Sequence, residues 1–242
     1  MKLGKLPPKH DVRTLRFANY LRRKLPAPAL EQHWESGISG WGMMLNDKLG
    51  DCTIAGAGHL IKLWSANIGN EIVVPDNDIL TAYEAVSGYN PSNGTNDNGA
   101  YELDVLNYWR KNGIGGQKIS AFVSIDTTNF DYVKWAIMLF GGAYVGLALP
   151  KSAEYQQTWQ VISGPDAEPG SWGGHCVPLV GYDSQYVECI TWGGIMKMTW
   201  EFWLKYGDEA YAILSPNWLK DGLDPNLISV DVLTQDLQVV SG

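Results

Sequence analysis

The stretch NDKLGDCTIAGAGHLIKLWSAN, from Asn46 to Asn67, decides how the rest of the chain is arranged. Its apolar residues recur at the spacing of an α-helix, and the stripe consists of Ile54, Ala57, Ile61, Trp64 and Ile68. More apolar residues lie on the other side of the helix. Lys62 is the single charged residue between Cys52 and Gly69. The pattern therefore predicts a helix buried on nearly every face, with Cys52 in its first turn and Asp51 or Gly50 as its cap.

A cysteine in the first turn of such a helix has a chemical consequence. The free N–H groups and the dipole of a helix N-terminus stabilise negative charge, so we expect the pKa of the Cys52 thiol to fall. The resulting thiolate would be a nucleophile. The alternative is that Cys52 is a small buried apolar residue with no chemistry of its own.

Composition excludes several classes of protein. Apolar residues make up 45% and charged residues 18% of the 242 residues, as in globular proteins. No apolar run reaches the length of a membrane span, and the net charge of −8 argues against a nucleic-acid partner. Three cysteines do not form a disulfide framework, and the first residues lack the apolar core of a secretory signal. We therefore expect a cytoplasmic or phage-associated protein.

The charge is distributed unevenly along the chain. Residues 1–24, here called the basic arm, carry eight Lys or Arg and one acidic residue, which leaves −15 for residues 25–242. The arm could dock on the acidic body and restrict a cleft there, contact a partner, or remain a solvated tail. Residues 1–40 as a whole are predicted to be a wrapping segment and not a domain.

The secondary-structure pattern changes near residue 118. Residues 41–118 are predicted to be mainly helical, with helices beginning near Asp76 and over about 101–112 after the central one. Residues 119–242 are predicted to be β-rich, with one helix near 130–140. The predicted strands are 119–125, 143–149, 176–182, 186–191, 195–200 and 209–214. Segregated helices and strands indicate an α+β fold with two lobes.

The base that Cys52 needs must come from one of four histidines. His59 lies seven residues along the same helix, about 10 Å away, and cannot reach the thiol. His10 and His33 lie in the irregular N-terminal region. His175 opens an apolar strand directly after two glycines; alone it could be structural, but its pairing with Cys52 favours catalysis. One histidine and scattered cysteines do not form a metal site, so we expect neither a metal nor another cofactor.

In three places the sequence resembles papain-like cysteine peptidases. They are Gly50-Asp-Cys-Thr53 at the start of a buried helix, Gly174-His-Cys-Val-Pro-Leu-Val-Gly-Tyr182, and Thr191-Trp-Gly193. The Leu-Gly-x-Cys-Thr motif is most similar to bacterial or phage-type members, and order and spacing match from about residue 40 to 214. The resemblance implies a helical left lobe, a β-barrel-like right lobe and an active cleft between them.

The resemblance also implies roles for the matching residues. Cys52 would be the nucleophile, His175 its imidazolium partner, and Asn46 would take the place of the glutamine that donates to the oxyanion. The positions implied to contact substrate are Asn98, Gly99, Gly174 and Trp192.

Two positions depart from the family pattern. Asn46 is one methylene shorter than glutamine, and Ile190 stands where the family has the asparagine that holds the imidazole Nδ1–H. We expect Thr191 to accept that hydrogen bond instead; Asp183 and Glu188 are further candidates, poorly placed by sequence. Loss of one preorganised donor typically costs about 3 kcal/mol, which predicts a slow or narrow enzyme.

Three functions therefore remain open. The first is a cysteine peptidase that hydrolyses peptide bonds of a peptide or protein substrate through an acyl-enzyme. The second is a catalytically weak or inactive papain-like module that binds a peptide or protein partner in the same cleft. The third is an acyl transferase, such as a transglutaminase-like enzyme, which also needs a cysteine and a histidine.

Overall fold

The computed structural model describes residues 1–21, 25–218, 231–233 and 235–236. Three basic residues of the arm, at 22–24, and most of the chain beyond 218 therefore lie outside the described residues. Within the described ranges, no helix is both long and apolar enough to cross a membrane.

The helices that matter for the site lie in the first half of the chain, as predicted. Their bounds are α1 (Cys52–Asn67), α2 (Asp76–Ser87) and α3 (Glu102–Lys111), and the second half adds α4 (Phe130–Phe140) and α5 (Trp200–Tyr206). Asp51 is the N-cap of α1, but its carboxylate does not bond the helix N–H groups. The sequence does not predict α5, because the apolar run of the preceding strand continues into it.

The strands form one sheet in the described part of the chain. They are β1 (Gln32–His33), β2 (Ala121–Ser124), β3 (Ala143–Leu149), β4 (Thr158–Trp159), β5 (Gly173–Tyr182), β6 (Tyr186–Thr191), β7 (Gly194–Thr199) and β8 (Gly207–Leu214). The order is β2-β8-β3-β5-β6-β7-β4, with β1 paired to β5. The six predicted strands are present, whereas the two-residue β1 and β4 are too short for a pattern to reveal. The strand path is open, so the sheet does not close into a full barrel.

Two hydrophobic cores lie on opposite faces of this sheet. Helices α1, α2 and α3 pack on one face, which receives Tyr144 and Cys176, and α4 and α5 pack on the other, which receives Val145 and Val177. Every residue of α1 from Cys52 to Ser65 is buried, which confirms the prediction of a helix covered on all sides. The division at residues 40 and 118 stays a prediction.

The one charge inside α1 is accommodated by backbone carbonyls. Lys62 Nζ donates hydrogen bonds to the carbonyl oxygens of Ser39 and Gly40, at 2.8 and 2.7 Å. A buried ammonium needs such partners, because burial without them is very unfavourable. Lys62 Nζ also lies 3.4 Å from Glu71 Oε1, so this side chain connects α1 to the chain on both sides of it.

Candidate active site

The N-terminus of α1 meets strand β5 at the predicted nucleophile. Cys52 Sγ accepts a hydrogen bond from the Cys176 backbone N–H at 3.4 Å, and the nearby Gly4 backbone N–H also favours the thiolate form. Cys176 follows His175 in β5, so the predicted thiol lies beside the backbone of the residue that follows the predicted base. The two residues come from the helical and the β-rich halves of the chain.

His175 is buried and is held by two neighbours. Its Nε2 lies 2.7 Å from Thr191 Oγ1, and the Trp192 ring stacks on the imidazole with centroids 4.5 Å apart and 16° between the planes. The other nitrogen, Nδ1, has no hydrogen-bond partner among the described residues. When Nε2–H donates to Thr191, Nδ1 is unprotonated and is the atom that can accept a proton.

Thr191 therefore contacts the imidazole, but at the other nitrogen from the one expected. From the sequence, Nδ1–H is the predicted donor to the third residue, whereas in the structure Thr191 Oγ1 lies against Nε2. The two further candidates are used elsewhere. Asp183 Oδ1 accepts backbone N–H groups of the β5–β6 turn, and Glu188 forms an ion pair with Lys197 at 2.7 Å.

A tight turn between β6 and β7 presents the ring that covers His175. Trp192 and Gly193 both have positive φ, 45° and 77°, as a two-residue hairpin turn requires. This backbone conformation is uncommon for tryptophan. The stacking on His175 and a hydrogen bond from Trp192 Nε1–H to the Lys2 carbonyl oxygen at 3.3 Å help to hold it.

Asn46, the predicted oxyanion donor, lies beside the start of α1. Its Nδ2 donates to the Leu49 carbonyl oxygen at 3.2 Å and to Asp51 Oδ1 at 3.1 Å, so both amide N–H groups are used locally. Asp51 is fully buried, and this burial raises its pKa to about 8. Donation from Asn46 to an oxyanion stays a prediction, and it requires the amide to release one of these partners.

The first residues of the basic arm lie directly over the predicted site. The backbone N–H groups of Gly4 and Lys5 donate to the Gly174 carbonyl oxygen at 3.2 and 3.1 Å. Ala100 N–H donates to the Gly4 carbonyl oxygen at 2.9 Å, and Leu6 N–H donates to the Ala100 carbonyl oxygen at 3.0 Å. The arm is thus paired in parallel with the backbone at Ala100, immediately after the predicted Gly99.

Two of the predicted substrate-binding glycines permit this close approach. A Cβ on Gly99 would lie 1.8 Å from the Gly4 carbonyl oxygen, and a Cβ on Gly174 would lie 2.2 Å from the Lys5 carbonyl oxygen. Any side chain at these positions would exclude a main chain from the cleft. Asn98, which precedes Gly99, is exposed.

Lysines of the arm form ion pairs with acidic residues of the body. The pairs are Lys2–Asp97, Lys5–Asp208, Lys5–Glu209 and Lys9–Asp104, with N–O distances of 2.7–2.9 Å. The side chains of Lys2 and Lys9 are half exposed, at 49% and 48%, whereas that of Lys5 is fully buried. Exposed pairs contribute little to stability, so Lys5 is the lysine whose contacts matter most.

Comparison with solved structures identifies the fold. No protein-family model and no curated protein matches the sequence. Xylellain, a cysteine protease from Xylella fastidiosa, matches with a TM-score of 0.67 at 15% identity, over 88% of this chain and 96% of that one. The fold is papain-like.

Two further structures agree with that fold. Procathepsin L 3 from the larval midgut of Tenebrio molitor matches with a TM-score of 0.62 at 12% identity, over 88% of this chain and 75% of that one. The cysteine protease and lectin-like domains of Cwp84 from Clostridium difficile match with a TM-score of 0.59 at 12% identity, over 89% of this chain and 56% of that one.

Within this papain-like fold, the protonation of the site differs from the sequence-based expectation. Burial raises the pKa of the Cys52 thiol to about 12, although the Cys176 N–H opposes the change. Burial also lowers the pKa of His175 to about 3. With the arm in place, both groups are neutral at neutral pH. The expected fall in the thiol pKa and the thiolate–imidazolium pair are therefore not found, because loss of water outweighs the helix N-terminus.

The remaining candidate groups of the papain-like fold have structural roles. His59 Nε2 lies 3.1 Å from the Gly42 carbonyl oxygen, and burial lowers its pKa to about 4, so it is a neutral buried residue. All three cysteines are free thiols. Cys176 belongs to the core on the α1 side of the sheet and Cys189 to the opposite core.

Proposed function

We propose that the protein is a papain-like cysteine peptidase, related to the bacterial or phage-type members, that hydrolyses peptide bonds through an acyl-enzyme. The observation that carries this proposal is the junction of α1 and β5, where Cys52 Sγ contacts the backbone next to His175. The papain-like fold, shared with structures described as cysteine proteases, supports the same assignment. The substrate is a peptide or a protein.

The proposed reaction uses the free nitrogen of the imidazole. His175 Nδ1 removes the thiol proton while Cys52 Sγ attacks the scissile carbonyl carbon, and the Cys52 backbone N–H with an Asn46 amide N–H would stabilise the oxyanion. His175 then delivers the proton to the leaving amine, which leaves a thioester on Cys52. Water hydrolyses the thioester with His175 as the base. Thr191 and Trp192 would hold the ring in place through these steps.

We also propose that the basic arm keeps the cleft closed until it is displaced. Gly4 is packed against Gly50, two residues before Cys52, and its N–H donates to the Gly174 carbonyl oxygen at 3.2 Å, next to His175. The arm would thus occupy the space that a substrate main chain needs to reach Cys52. Its removal would readmit water, lower the thiol pKa and raise the imidazole pKa, which favours formation of the reactive ion pair.

A binding module without catalysis is the second candidate. The observation in its favour is that both N–H groups of the Asn46 amide already have partners, so an oxyanion would have to compete for one of them. In that case Cys52 would react at the rate of an ordinary thiol even with the arm displaced.

One substitution can displace the arm without altering the site. A Cβ on Gly4 would lie 1.8 Å from the Gly50 carbonyl oxygen, so Gly4→Val cannot dock, whereas a Cβ on Gly194 would meet nothing within 4 Å. We expect full-length Gly4→Val, but not the control Gly194→Val, to hydrolyse a fluorogenic peptide library and to react rapidly with iodoacetamide at Cys52. A further Cys52→Ser substitution should abolish hydrolysis, and Thr191→Val should lower kcat roughly tenfold or more.

Two results would contradict these proposals. If Gly4→Val hydrolyses no peptide and Cys52 labels no faster than a free thiol, the peptidase proposal is wrong and the binding module replaces it. If wild type and Gly4→Val hydrolyse peptides equally fast, the arm does not close the cleft.

The subcellular location is proposed from the chemistry of the cysteines alone. Three free thiols suit a reducing compartment, so we propose a cytoplasmic or phage-associated protein. Fractionation of cells that express the tagged protein would test this.

A further inference from the structure

Lys5 occupies a closed pocket beside the candidate nucleophile. Its side chain is fully buried, and Nζ lies 2.9 Å from Asp208 Oδ2 and 2.9 Å from Glu209 Oε1. The residue before it, Gly4, donates to the Gly174 carbonyl oxygen at 3.2 Å and packs on Gly50, two residues before Cys52. The pocket therefore receives the side chain one residue away from this backbone position.

The shape of the pocket suits a long unbranched side chain. A Cβ on Gly146 would lie 1.9 Å from Lys5 Cε and 2.6 Å from Asp208 Oδ1. Gly146 is opposite Glu209 in the pairing of β3 and β8. The missing side chain at position 146 thus leaves the channel through which a four-carbon stem reaches the two carboxylates.

The pocket holds more carboxyl groups than one ammonium group can pair with. Besides Asp208 and Glu209, Glu102 at the start of α3 is buried, and neither of its carboxyl oxygens has a hydrogen-bond partner among the described residues. Asp208 Oδ1 is also buried without a partner in that part of the chain. Burial alone would lower the pKa of the Lys5 ammonium group, but Glu102 and Glu209 outweigh that effect and raise it. Burial also raises the pKa of the Glu102 and Glu209 carboxyl groups, so each is more easily protonated than a free carboxyl group.

Such a cluster is unfavourable when it is empty or filled by an apolar group. Buried carboxylates are strongly destabilised unless a cation pairs with them, and removing one partner of a buried pair leaves the other uncompensated. When the arm leaves the cleft, the same groups must take up protons, become hydrated or pair with another cation. A substrate with a basic side chain at the corresponding position would supply it.

We infer that this pocket selects a lysine or arginine side chain of the substrate, and that Lys5 of the arm is its intramolecular occupant. The inference rests on the proposed peptidase function, because only a peptide bound at Cys52 places a side chain here. It names the substrate class: peptides with a basic residue near the cleaved bond.

Hydrolysis of matched peptides tests the selectivity. In full-length Gly4→Val, fluorogenic peptides would carry lysine, arginine, norleucine or glutamate at each of the three positions next to the fluorophore. We expect lysine or arginine at one position to raise kcat/KM at least tenfold over norleucine, which has the same stem without the ammonium group. Adding Asp208→Asn with Glu209→Gln should bring the ratio close to one, whereas Glu188→Gln, a carboxylate outside the pocket, should leave it unchanged. Equal rates for lysine and norleucine, or a ratio that survives the double substitution, would overturn the inference.

A binding measurement separates this inference from the peptidase proposal. The probe is the fluorescein-labelled peptide Met-Lys-Leu-Gly-Lys-Leu-Pro-Pro, which is residues 1–8 of this chain, and its analogue with norleucine in place of Lys5. The protein is full-length Gly4→Val with Cys52→Ser, and fluorescence anisotropy reports the Kd. At least tenfold tighter binding of the lysine peptide, lost in the Asp208→Asn/Glu209→Gln variant, supports the pocket even if no peptide is hydrolysed. Equal binding of both peptides refutes it even if hydrolysis occurs.

Discussion

Two clusters of charged side chains lie beside the sheet, and they show how burial changes the contribution of an ion pair to stability. The cleft cluster consists of Lys5 with Glu102, Asp208 and Glu209. The edge cluster consists of His33 and Lys197 with Glu35 and Glu188, where His33 Nδ1 lies 3.2 Å from Glu35 and 3.1 Å from Glu188. Each cluster gathers carboxylates around a cation, but only the cleft cluster takes its cation from the arm.

The clusters differ most in the solvent access of their cations. The Lys5 side chain is fully buried, whereas those of His33 and Lys197 are 35% and 47% exposed. Breaking a buried pair costs about 3–5 kcal/mol, but an exposed pair contributes about 0–1 kcal/mol. The cleft cluster can therefore hold a separate segment over the site. The edge cluster lies beside β1, β6 and β7, and its pairs contribute little to stability.

The edge cluster also has the donor set of a metal site, but one of its carboxylates is already paired with a lysine. The ligand atoms of His33, Glu35 and Glu188 lie within 4.8 Å of one another. Lys197 Nζ lies 2.7 Å from Glu188 Oε1 and already balances one carboxylate. Glu35 Oε2, however, is buried without a hydrogen-bond partner among the described residues.

The largest effect is expected from removing the buried cation. Lys5→Met removes the cation that pairs with Asp208 and Glu209, although Tyr211 still donates to Glu209. The arm should therefore open, and Cys52 should react with iodoacetamide roughly 100-fold faster or more than in wild type. The measurement is the alkylation rate by mass spectrometry at fixed pH. Lys9→Met removes a half-exposed lysine of the same arm and should change the rate less than about fivefold. Equal rates for the two variants would mean that burial does not distinguish these pairs.

A smaller effect is expected from the edge cluster, and it depends on pH. Burial raises the pKa of Glu35 to about 7 from its ordinary 4.5. Between these values the folded chain keeps a proton that the unfolded chain has released, so this group makes the fold less stable as pH rises from 4.5 to 7. Glu35→Gln has no titrating group here and should not lose this stability. As pH rises from 4.5 to 7, its free energy of unfolding should increase by about 1–3 kcal/mol relative to that of wild type.

Urea unfolding at pH 4.5, 5.5 and 7 measures this gain. Glu31→Gln is the control, since Glu31 is an exposed residue of the same segment. A difference between wild type and Glu35→Gln that stays constant with pH would show that Glu35 titrates normally.

The difference between local and long-range contacts explains which features could be predicted from the sequence. The apolar pattern of α1 and the strand alternation depend on neighbours in the chain, so the helix at Cys52 and six of the eight strands were predictable. Local alternation also carried a signal that the sequence argument missed. Cys176 and Ile190 face the core around α1, so His175 and Thr191, one residue away from each, share the other face of the sheet.

What depends on distant segments was not predictable. Lys5 pairs with Asp208 across 203 residues of sequence, and no local pattern specifies that contact. The pKa of Cys52 moved opposite to the helix-terminus argument because the arm and β5 exclude water from the thiol. The choice of Nε2 by Thr191 depends on the turn that holds Trp192 over His175, which the sequence marks only by Gly193.

The smallest effect is expected from Lys197→Met, the edge-cluster counterpart of Lys5→Met. Lys197 Nζ forms a 2.7 Å pair with Glu188, as close as any pair in the cleft cluster, so distance alone would predict an equal effect. Because the Lys197 side chain is 47% exposed and His33 also contacts Glu188, water and the histidine compensate for its loss. We expect the free energy of unfolding to change by no more than about 1 kcal/mol, and the alkylation rate of Cys52 to stay at the wild-type value. Urea unfolding and iodoacetamide labelling of the same preparation measure both; faster labelling would mean that the edge cluster, too, holds the arm over the site.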